Sequence, residues 1–312
     1  MYNRGFINVF IYKMSLLVLG TVALDTVKTP FGLRKRMLGG SAVHFSMSAR
    51  LFTVIHLVAV VGADFPAEHI NFLKDKGIIL DSLVRSSGRT FYWEGKYEGD
   101  LNSAITLDTQ LGVLADFKPR VSFKDRSIKN IFLANIDPDI QRHLLEGMDS
   151  PRIVAVDSMN YWINTKRASL LRLLKRVNIY VANDAEARGL SGETNLIKAA
   201  KRLRSLGPDI VLIKKGEHGV LLYSDKFKFI LPAYPVDKVI DPTGAGDTFA
   251  GGFMGYLARC GKINKLSIKK AICYGTIAAS FNVEGFGVEK TCRFNLRQLE
   301  KRLKEFKDIV IF

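Results

Sequence analysis

The sequence predicts an α/β protein: a three-layer α/β/α sandwich with a mostly parallel central sheet and a small additional β-sheet. Short apolar, β-branched runs alternate with amphipathic segments of helical period along most of the chain. Strands buried on both faces read as continuous apolar runs, as they do in parallel sheets that helices cover. Residues 89–98 break this rhythm with a period of two, which is typical of a strand with one apolar face and predicts the small sheet.

The elements follow one another without an internal repeat, a low-complexity tract or a linker, so we expect one large domain. Short runs rich in branched apolar residues predict strands at Leu16–Leu19, Thr53–Val61, Ile131–Ala134, Ile153–Val156, Ile179–Val181, Ile210–Ile213 and Val220–Tyr223. Apolar residues that recur every three or four positions predict helices at Ala42–Phe52, Ala67–Lys76, Lys166–Lys175, Leu196–Leu206, Asp247–Cys260, Ile268–Phe281 and Leu296–Phe306.

The alternating segment 89–98 places Phe91, Trp93 and Tyr97 on one face of its predicted strand. A strand with one aromatic side is suited to a flap that closes on a ligand or pairs with a second subunit. The alternative is an ordinary edge strand packed on the core.

Composition limits the classes of protein. The 312 residues are 47% hydrophobic, enough for a substantial core. The net charge of +16 suggests anionic partners, but Lys and Arg are scattered as on solvated helix faces, so we expect no nucleic-acid partner. Three widely spaced cysteines without a CxxC pair indicate a reducing, cytoplasmic compartment and no zinc finger. Residues 1–13 are too short to span a membrane, so we expect no membrane partner. Met14 stands directly before the first predicted strand, so we expect residues 1–13 to be a dispensable extension of a domain formed by residues 14–312.

The run 241–248, Asp-Pro-Thr-Gly-Ala-Gly-Asp-Thr, joins a short apolar strand to an amphipathic helix. Amides at a helix start lack intrahelical partners and carry the positive end of the helix dipole, so Gly244, Ala245 and Gly246 predict an anion hole. Asp247, which the same helix end should hold ionised, predicts a general base for an alcohol. Taken alone, the turn is equally compatible with a helix that Asp247 merely caps.

Residues 241–253, which continue this run with Phe-Ala-Gly-Gly-Phe, resemble the C-terminal signature of the ribokinase family, also called PfkB carbohydrate kinases. The resemblance extends over about residues 16–287, and neither a Walker A sequence nor the protein-kinase motif set occurs. It implies a ribokinase-like fold and an ATP-dependent, Mg²⁺-dependent transfer of the γ-phosphoryl group to a hydroxymethyl group of a sugar or nucleoside. Asp247 would be the base, and 244–246 the anion hole.

Further stretches resemble the family's acceptor site. Asp25 matches the substrate-binding aspartate, whose carboxylate can accept hydrogen bonds from two hydroxyls of a polyol. Gly39 and Gly40 match the paired glycines that let a sugar lie against the backbone. His44 occupies the region in which the family often carries an asparagine. Two aromatic residues of the period-two segment, Phe91 and Trp93, are expected to stack on a purine or to cover a sugar.

The resemblance also assigns a nucleotide site. Its expected residues are Asn183, Glu186, Lys214, Gly216, Gly244, Gly246, Ala279 and Asn282. Glu186 would hold Mg²⁺ partly through water, because magnesium keeps several of its waters. Asp241 and Thr243 match residues that hold a monovalent cation such as K⁺ in some members of the family.

The family's β lid is expected to be formed mainly by residues 86–115, with 26–38 as a further part, and lids of this kind also form homodimers. Two alternatives stay open. In a sugar-phosphate kinase, the basic residues Arg34, Lys35 and Arg36 would hold the phosphate of the acceptor. In a non-catalytic nucleotide- or sugar-binding module, the output would be association.

Overall fold

The computed structural model describes residues 14–311, in which strands and helices alternate as predicted. The strands are β1 (Leu16–Leu19), β2 (Ala23–Thr29), β3 (Gly32–Gly39), β4 (Ile55–Val61), β5 (Ile78–Arg85), β6 (Tyr92–Lys96), β7 (Ile105–Gln110), β8 (Asn130–Leu133), β9 (Ile153–Asp157), β10 (Ile179–Asn183), β11 (Ile210–Lys214), β12 (Val220–Tyr223) and β13 (Lys228–Leu231). The helices are α1 (Ser41–Ala49), α2 (Ala67–Asp75), α3 (Pro138–Glu146), α4 (Asn160–Thr165), α5 (Arg167–Leu174), α6 (Asp184–Ser191), α7 (Leu196–Arg204), α8 (Ala245–Cys260), α9 (Lys265–Asn282) and α10 (Leu296–Val310).

The central sheet contains nine strands in the order β13-β12-β11-β10-β9-β8-β1-β4-β5. All pairs from β11 to β5 are parallel, and β12 and β13 extend one edge in antiparallel fashion. Alternate residues of β1 enter two separate cores. Leu16 and Val18 pack with α1, α8 and α9 in the first core, whereas Leu17 and Leu19 pack with α3, α5 and α6 in the second core. The three-layer α/β/α prediction is therefore confirmed.

A second, four-stranded sheet has the order β3-β2-β6-β7. Its outer pairs are antiparallel and its central pair, β2 with β6, is parallel. The predicted strand at 89–98 contracts to β6, and its partners come from both chain segments expected to form the lid. β3 has no apolar pattern, because Arg34, Lys35 and Arg36 are exposed, so only the family resemblance assigned residues 26–38 to the lid. We call this sheet the lid.

Helix α8 begins at Ala245, earlier than predicted, and Gly244 is its N-cap. Asp247 therefore lies within the first turn, which excludes the alternative in which Asp247 is the N-cap. No described helix combines the length and the apolar character needed to cross a bilayer. The extension 1–13, predicted to be dispensable, lies outside the described residues.

Candidate active site

Three polar residues end three adjacent parallel strands: Asp157 on β9, Asn183 on β10 and Lys214 on β11. The carboxyl ends of parallel strands form one edge of a sheet, where ligands of open α/β folds bind. The start of α8 reaches the same edge, because a Cβ placed on Gly246 would lie 2.9 Å from Lys214 Nζ. The glycine turn and the strand ends thus form one site.

The turn that precedes α8 requires glycine at position 244. Gly244 has φ 73°, in the left-handed region that favours glycine, and a Cβ there would lie 2.2 Å from the His44 ring. No side chain caps the helix. The N–H of Ala245 already donates to Pro242 O at 3.1 Å, which corrects the expectation that all three predicted amides face an anion freely. Among residues 14–311, no partner engages the N–H of Gly244 or Gly246.

The side chain of His44 packs against this turn. It is only 2% exposed, and its Nδ1 lies 3.2 Å from Asn282 Oδ1. Burial lowers the pKa of His44, so the imidazole is neutral at pH 7. The ring therefore acts as an uncharged platform for Gly244.

Asn282 is buried beside the turn that precedes α8. It is 1% exposed, its Oδ1 accepts a hydrogen bond from Thr248 Oγ1 at 2.9 Å, and its Nδ2 donates to Thr243 O at 2.7 Å. These hydrogen bonds connect α9 with the turn and the first residues of α8. Contact of Asn282 with a nucleotide stays a prediction.

Asp241 anchors the same turn. The carboxylate is fully buried, and its two oxygens accept from the N–H groups of Thr243 and Gly287, both at 2.9 Å. No group of three or more His, Cys, Asp or Glu side chains in residues 14–311 is arranged to hold a metal ion. Binding of a monovalent cation by Asp241 and Thr243 stays a prediction.

The strand ends and α8 together form a buried charge cluster. Lys214 Nζ lies 2.7 Å from Asp157 Oδ2, and both side chains are largely shielded from water. Burial, together with the charge of Asp157, raises the pKa of Asp247 to about 8, although Lys214 opposes the shift. Burial and the charge of Asp157 thus affect the pKa of Asp247 more than the helix N-terminus does, contrary to the expectation that this helix end holds Asp247 ionised. Burial and Asp157 also raise the pKa of Glu186 to about 8.

Asn183 and Glu186 form a capping box at the start of α6. Asn183 Oδ1 accepts from Glu186 N at 2.8 Å, and Glu186 Oε2 accepts from Asn183 N at 2.6 Å. Asn183 Nδ2 donates to Glu186 Oε1 at 2.8 Å, so both carboxylate oxygens have partners. Burial is the main cause of the raised pKa values of Glu186 and Asp247, and the charge of Asp157 adds to both. A further cation nearby would favour the ionised forms of the two carboxylates. This set fits a divalent ion that is carried by nucleotide phosphates and reached through water.

Asp157 is the site residue that sequence reasoning missed. The predicted strand ended at Val156, and the structure extends β9 by one residue to Asp157. The available signal was a carboxylate directly after a continuous apolar run, which is where a buried parallel strand places its last side chain.

Asp25, Gly39 and Gly40 come together where the lid strands β2 and β3 approach the start of α1. Asp25 on β2 is 5% exposed, and its Oδ2 accepts from Gly40 N at 3.2 Å. A Cβ on Gly39 would lie 1.9 Å from the same oxygen, so only glycine permits this approach. Burial raises the pKa of Asp25 to about 7, with Asp241 adding to the shift and the Gly40 hydrogen bond opposing it.

Trp93 is paired in register with Asp25 across β6 and β2. Its indole lies along its own strand, 2.3 Å from where a Cβ on Gly95 would stand, and its Nε1 donates to Thr106 Oγ1 at 3.3 Å. Phe91 departs from the prediction, because it precedes β6 and packs against the second core. Of the two aromatic residues predicted to contact the acceptor, only Trp93 therefore lies next to Asp25 in the lid.

The remaining predicted nucleotide residues lie on separate elements. Gly216 follows β11 with φ 55°, and a Cβ there would lie 3.1 Å from Asn102 Oδ1 of the lid. Ala279 is a half-buried residue of α9 that packs on the first core. Their contact with a nucleotide stays a prediction.

An α/β/α sandwich with a lid, a helix start with two unpartnered amides and a carboxylate in the first turn of that helix is the arrangement expected of ribokinase-like small-molecule kinases. The sequence profile of the pfkB family carbohydrate kinases matches residues 12–292. The chain is 31% identical over 254 residues to a cytidine kinase of Thermococcus kodakarensis, covering 79% of this chain and 89% of the relative. The chain therefore belongs to the pfkB family of carbohydrate kinases, and it is a sugar or nucleoside kinase, a phosphotransferase with an alcohol group as acceptor.

Two solved structures have the same fold. The nucleoside kinase of Methanocaldococcus jannaschii superimposes with a TM-score of 0.75 at 22% identity, covering 94% of this chain and 98% of that one. The aminoimidazole riboside kinase of Salmonella enterica, solved with aminoimidazole riboside and an ATP analogue, gives a TM-score of 0.71 at 22% identity, covering 93% and 99%.

Asp157→Asn is expected to shift the acid limb of the pH profile of kcat/KM to lower pH. Loss of kcat/KM on acidification reports protonation of the base, and removing the Asp157 charge makes ionisation of Asp247 easier, so its pKa falls below about 8. The measurement is kcat/KM from pH 5.5 to 9.5 for both proteins. An unchanged or upward-shifted limb would show that Asp157 does not act on the base.

Proposed function

We propose that this chain is an ATP-dependent kinase that phosphorylates the hydroxymethyl group of a nucleoside, with a free sugar as the second candidate acceptor. The observation that carries the proposal is the position of Asp247: it lies in the first turn of α8, next to unpartnered amides and in the same charge cluster as Lys214. A base, an anion hole and a cation at one point are what transfer of a phosphoryl group to an alcohol requires.

The reaction follows from these positions. Asp247 accepts the proton of the acceptor hydroxyl while the oxygen of that hydroxyl forms a bond to the γ-phosphorus. The bond from this phosphorus to the β,γ-bridging oxygen breaks, which releases ADP. A pKa of about 8 suits a base that works near neutral pH. The amides of Gly244 and Gly246 and the ammonium of Lys214 stabilise the charge on the transferred group. Bound Mg²⁺ would neutralise the nucleotide phosphates, with Glu186 placed to reach it through water.

The lid favours a nucleoside. Asp25 and Trp93 are register partners, so a carboxylate for ribose hydroxyls lies beside an indole on which a flat base can stack. The name of the cytidine kinase relative points in the same direction.

A sugar phosphate fits less well. The guanidinium of Arg34 lies 4.7 Å from the centre of the Phe286 ring and 3.9 Å from Glu289, and Arg36 pairs with Asp64 at 3.3 Å. Two members of the basic trio therefore already have partners on the surface.

The test is ADP release with MgATP across adenosine, inosine, cytidine, ribose, fructose and keto-deoxy sugars. We expect nucleosides to give the highest kcat/KM, with no release from Asp247→Asn protein purified in the same way. Higher kcat/KM with a free sugar would assign the second acceptor class. No release with any acceptor, together with ATP binding, would favour the non-catalytic module, and salt-dependent binding of random duplex DNA would identify its partner.

We also propose that the lid forms a homodimer. Its outer strands expose Leu33, Ile105 and Leu107, the last at 52% of its surface. Leu107→Lys is expected to shift the protein from dimer to monomer in sedimentation velocity, because a buried unpaired charge opposes association. Leu266→Lys, on the start of α9 and 63% exposed, is the matched control and should leave the dimer intact. A monomeric wild-type protein at micromolar concentration contradicts the proposal.

A further inference from the structure

Tyr97 is a lid residue whose side chain is buried. It directly follows β6, and its N–H donates to Lys28 O of β2 at 2.9 Å, so the backbone is held by the centre of the lid. The side chain is only 8% exposed, whereas β7, the neighbour of β6 in the lid, is mostly exposed. A buried phenol normally finds a hydrogen-bond partner, and that partner shows what Tyr97 reaches.

The partner belongs to the turn before α8. Thr243 Oγ1 donates to the Tyr97 hydroxyl at 3.4 Å, a long hydrogen bond between the lid and the large domain. The other polar groups of Thr243 are already engaged: its N–H donates to Asp241 and its carbonyl accepts from Asn282. Since Gly244 is the next residue, Tyr97 holds the one free group of the residue that leads into the anion hole.

The surroundings keep this phenol protonated. Burial is the main cause that raises the pKa of Tyr97 above its usual value, and the nearby carboxylates Asp241, Asp25 and Asp247 add to it. The hydroxyl therefore stays neutral. The same neighbours show that it lies near both the proposed acceptor aspartate and the proposed base.

The lid makes a second contact with the large domain at its tip. Asn102, in the loop between β6 and β7, donates from Nδ2 to Glu217 Oε1 at 3.2 Å, beside Gly216. Glu217 belongs to the turn after β11 that is predicted to line the nucleotide. The described lid thus contacts the turn before α8 through Tyr97 and the turn after β11 through Asn102.

We propose that Tyr97 is a positioning residue that couples the lid to the anion hole: its hydroxyl, brought in by the closed lid, holds Thr243 and thereby fixes Gly244 for phosphoryl transfer. The catalytic part of this inference rests on the proposed function. The lid then does more than exclude water, because its closure completes the order of the turn. Catalysis by preorganised amides depends on such order.

A double-mutant cycle tests the coupling. Tyr97→Phe keeps the ring and removes the hydroxyl, and Thr243→Val removes the partner at nearly constant volume. Each is expected to lower kcat about 3- to 10-fold, in the range that loss of one hydrogen bond produces, with little change in the KM for MgATP. The double variant is expected to be no slower than the slower single variant. Fold-changes that multiply would overturn the proposal, because the two groups would then act independently.

Tyr92→Phe is the matched control, since it makes the same change on the opposite face of β6, where the Tyr92 hydroxyl donates to Glu94 at 2.6 Å. It should leave kcat unchanged, and a loss equal to that of Tyr97→Phe would overturn the assignment to Tyr97.

Hydrogen exchange of the ligand-free protein separates this inference from the proposed function. Tyr97→Phe, but not Tyr92→Phe, is expected to speed exchange in the segment 241–247. Unchanged exchange in Tyr97→Phe would overturn the coupling, whereas faster exchange in a protein that phosphorylates no acceptor would reject the proposed function and leave the coupling in place.

Discussion

Replacing Asp247 with asparagine is expected to lower kcat by about 10²- to 10⁴-fold, the usual contribution of a general base. The amide has the shape of the carboxylate but cannot take the proton of the acceptor hydroxyl. Because ground-state contacts are kept, the KM values for MgATP and the acceptor should change far less than kcat. Steady-state ADP release with the best acceptor measures both quantities. A variant with near wild-type kcat would falsify the assignment of the base.

The stability of the same variant distinguishes loss of the base from loss of the fold. The pKa of Asp247 is about 8 in the folded protein, well above the value of about 3.9 expected when unfolded. The stabilising effect of its bound proton is complete below about pH 4 and is lost as pH rises to about 8. Asp247→Asn should therefore gain thermal stability relative to wild type between pH 5 and pH 8.5. A variant with a lower Tm at pH 8.5 would mean that unfolding accounts for its lost activity.

Gly244→Ala is expected to lower kcat by about 10²-fold or more, the order of magnitude found when one donor of an oxyanion hole is lost. The new methyl group would stand 2.2 Å from the His44 ring, which is buried. Either the turn or the ring must move, and both movements displace the amides that face the transferred phosphoryl group. The measurement is kcat with the best acceptor, combined with the Tm of the variant.

Gly192→Ala is a control that separates two effects of Gly244→Ala, the strain of the backbone and the clash with His44. Gly192 has φ 76°, close to the 73° of Gly244, but a Cβ there would meet nothing within 4 Å. Both substitutions carry a left-handed backbone cost of about 1–2 kcal/mol, so Gly192→Ala should lower the Tm and leave kcat unchanged. Adding His44→Ala to Gly244→Ala should recover part of the lost activity. A kcat for Gly244→Ala equal to that of Gly192→Ala would show that the packing on His44 does not matter.

The lid shows where local pattern was insufficient. The period-two segment around Trp93 predicted a strand, because the backbone of any strand points successive side chains to opposite faces. Strand β3 has no apolar alternation, because its charged residues are exposed and it is ordered by pairing with β2. Only the family resemblance assigned residues 26–38 to the lid. Phe91 and Trp93 look equivalent in the sequence, yet Phe91 lies before the strand and packs on the second core.

The glycine turn shows the same division at the site. Its role as the start of an anion-binding helix followed from the sequence, since glycines and a helix start are local features. Asn282 was assigned to the nucleotide because its segment resembles the small-residue wall of the family's adenine pocket. Its partner His44 is 238 positions away, and no local pattern reveals such a contact.

The sequence by itself determined the α/β/α architecture, the kinase signature of residues 241–253 and Asp247 as the candidate base. Only the tertiary structure decided the charge state and the supports of that base. The pKa of Asp247 depends on burial and on the charges of Asp157 and Lys214. These three residues lie on three separate chain segments that only the fold brings together. Periodicity and motifs report on neighbours along the chain, whereas electrostatic energies and packing depend on neighbours in space.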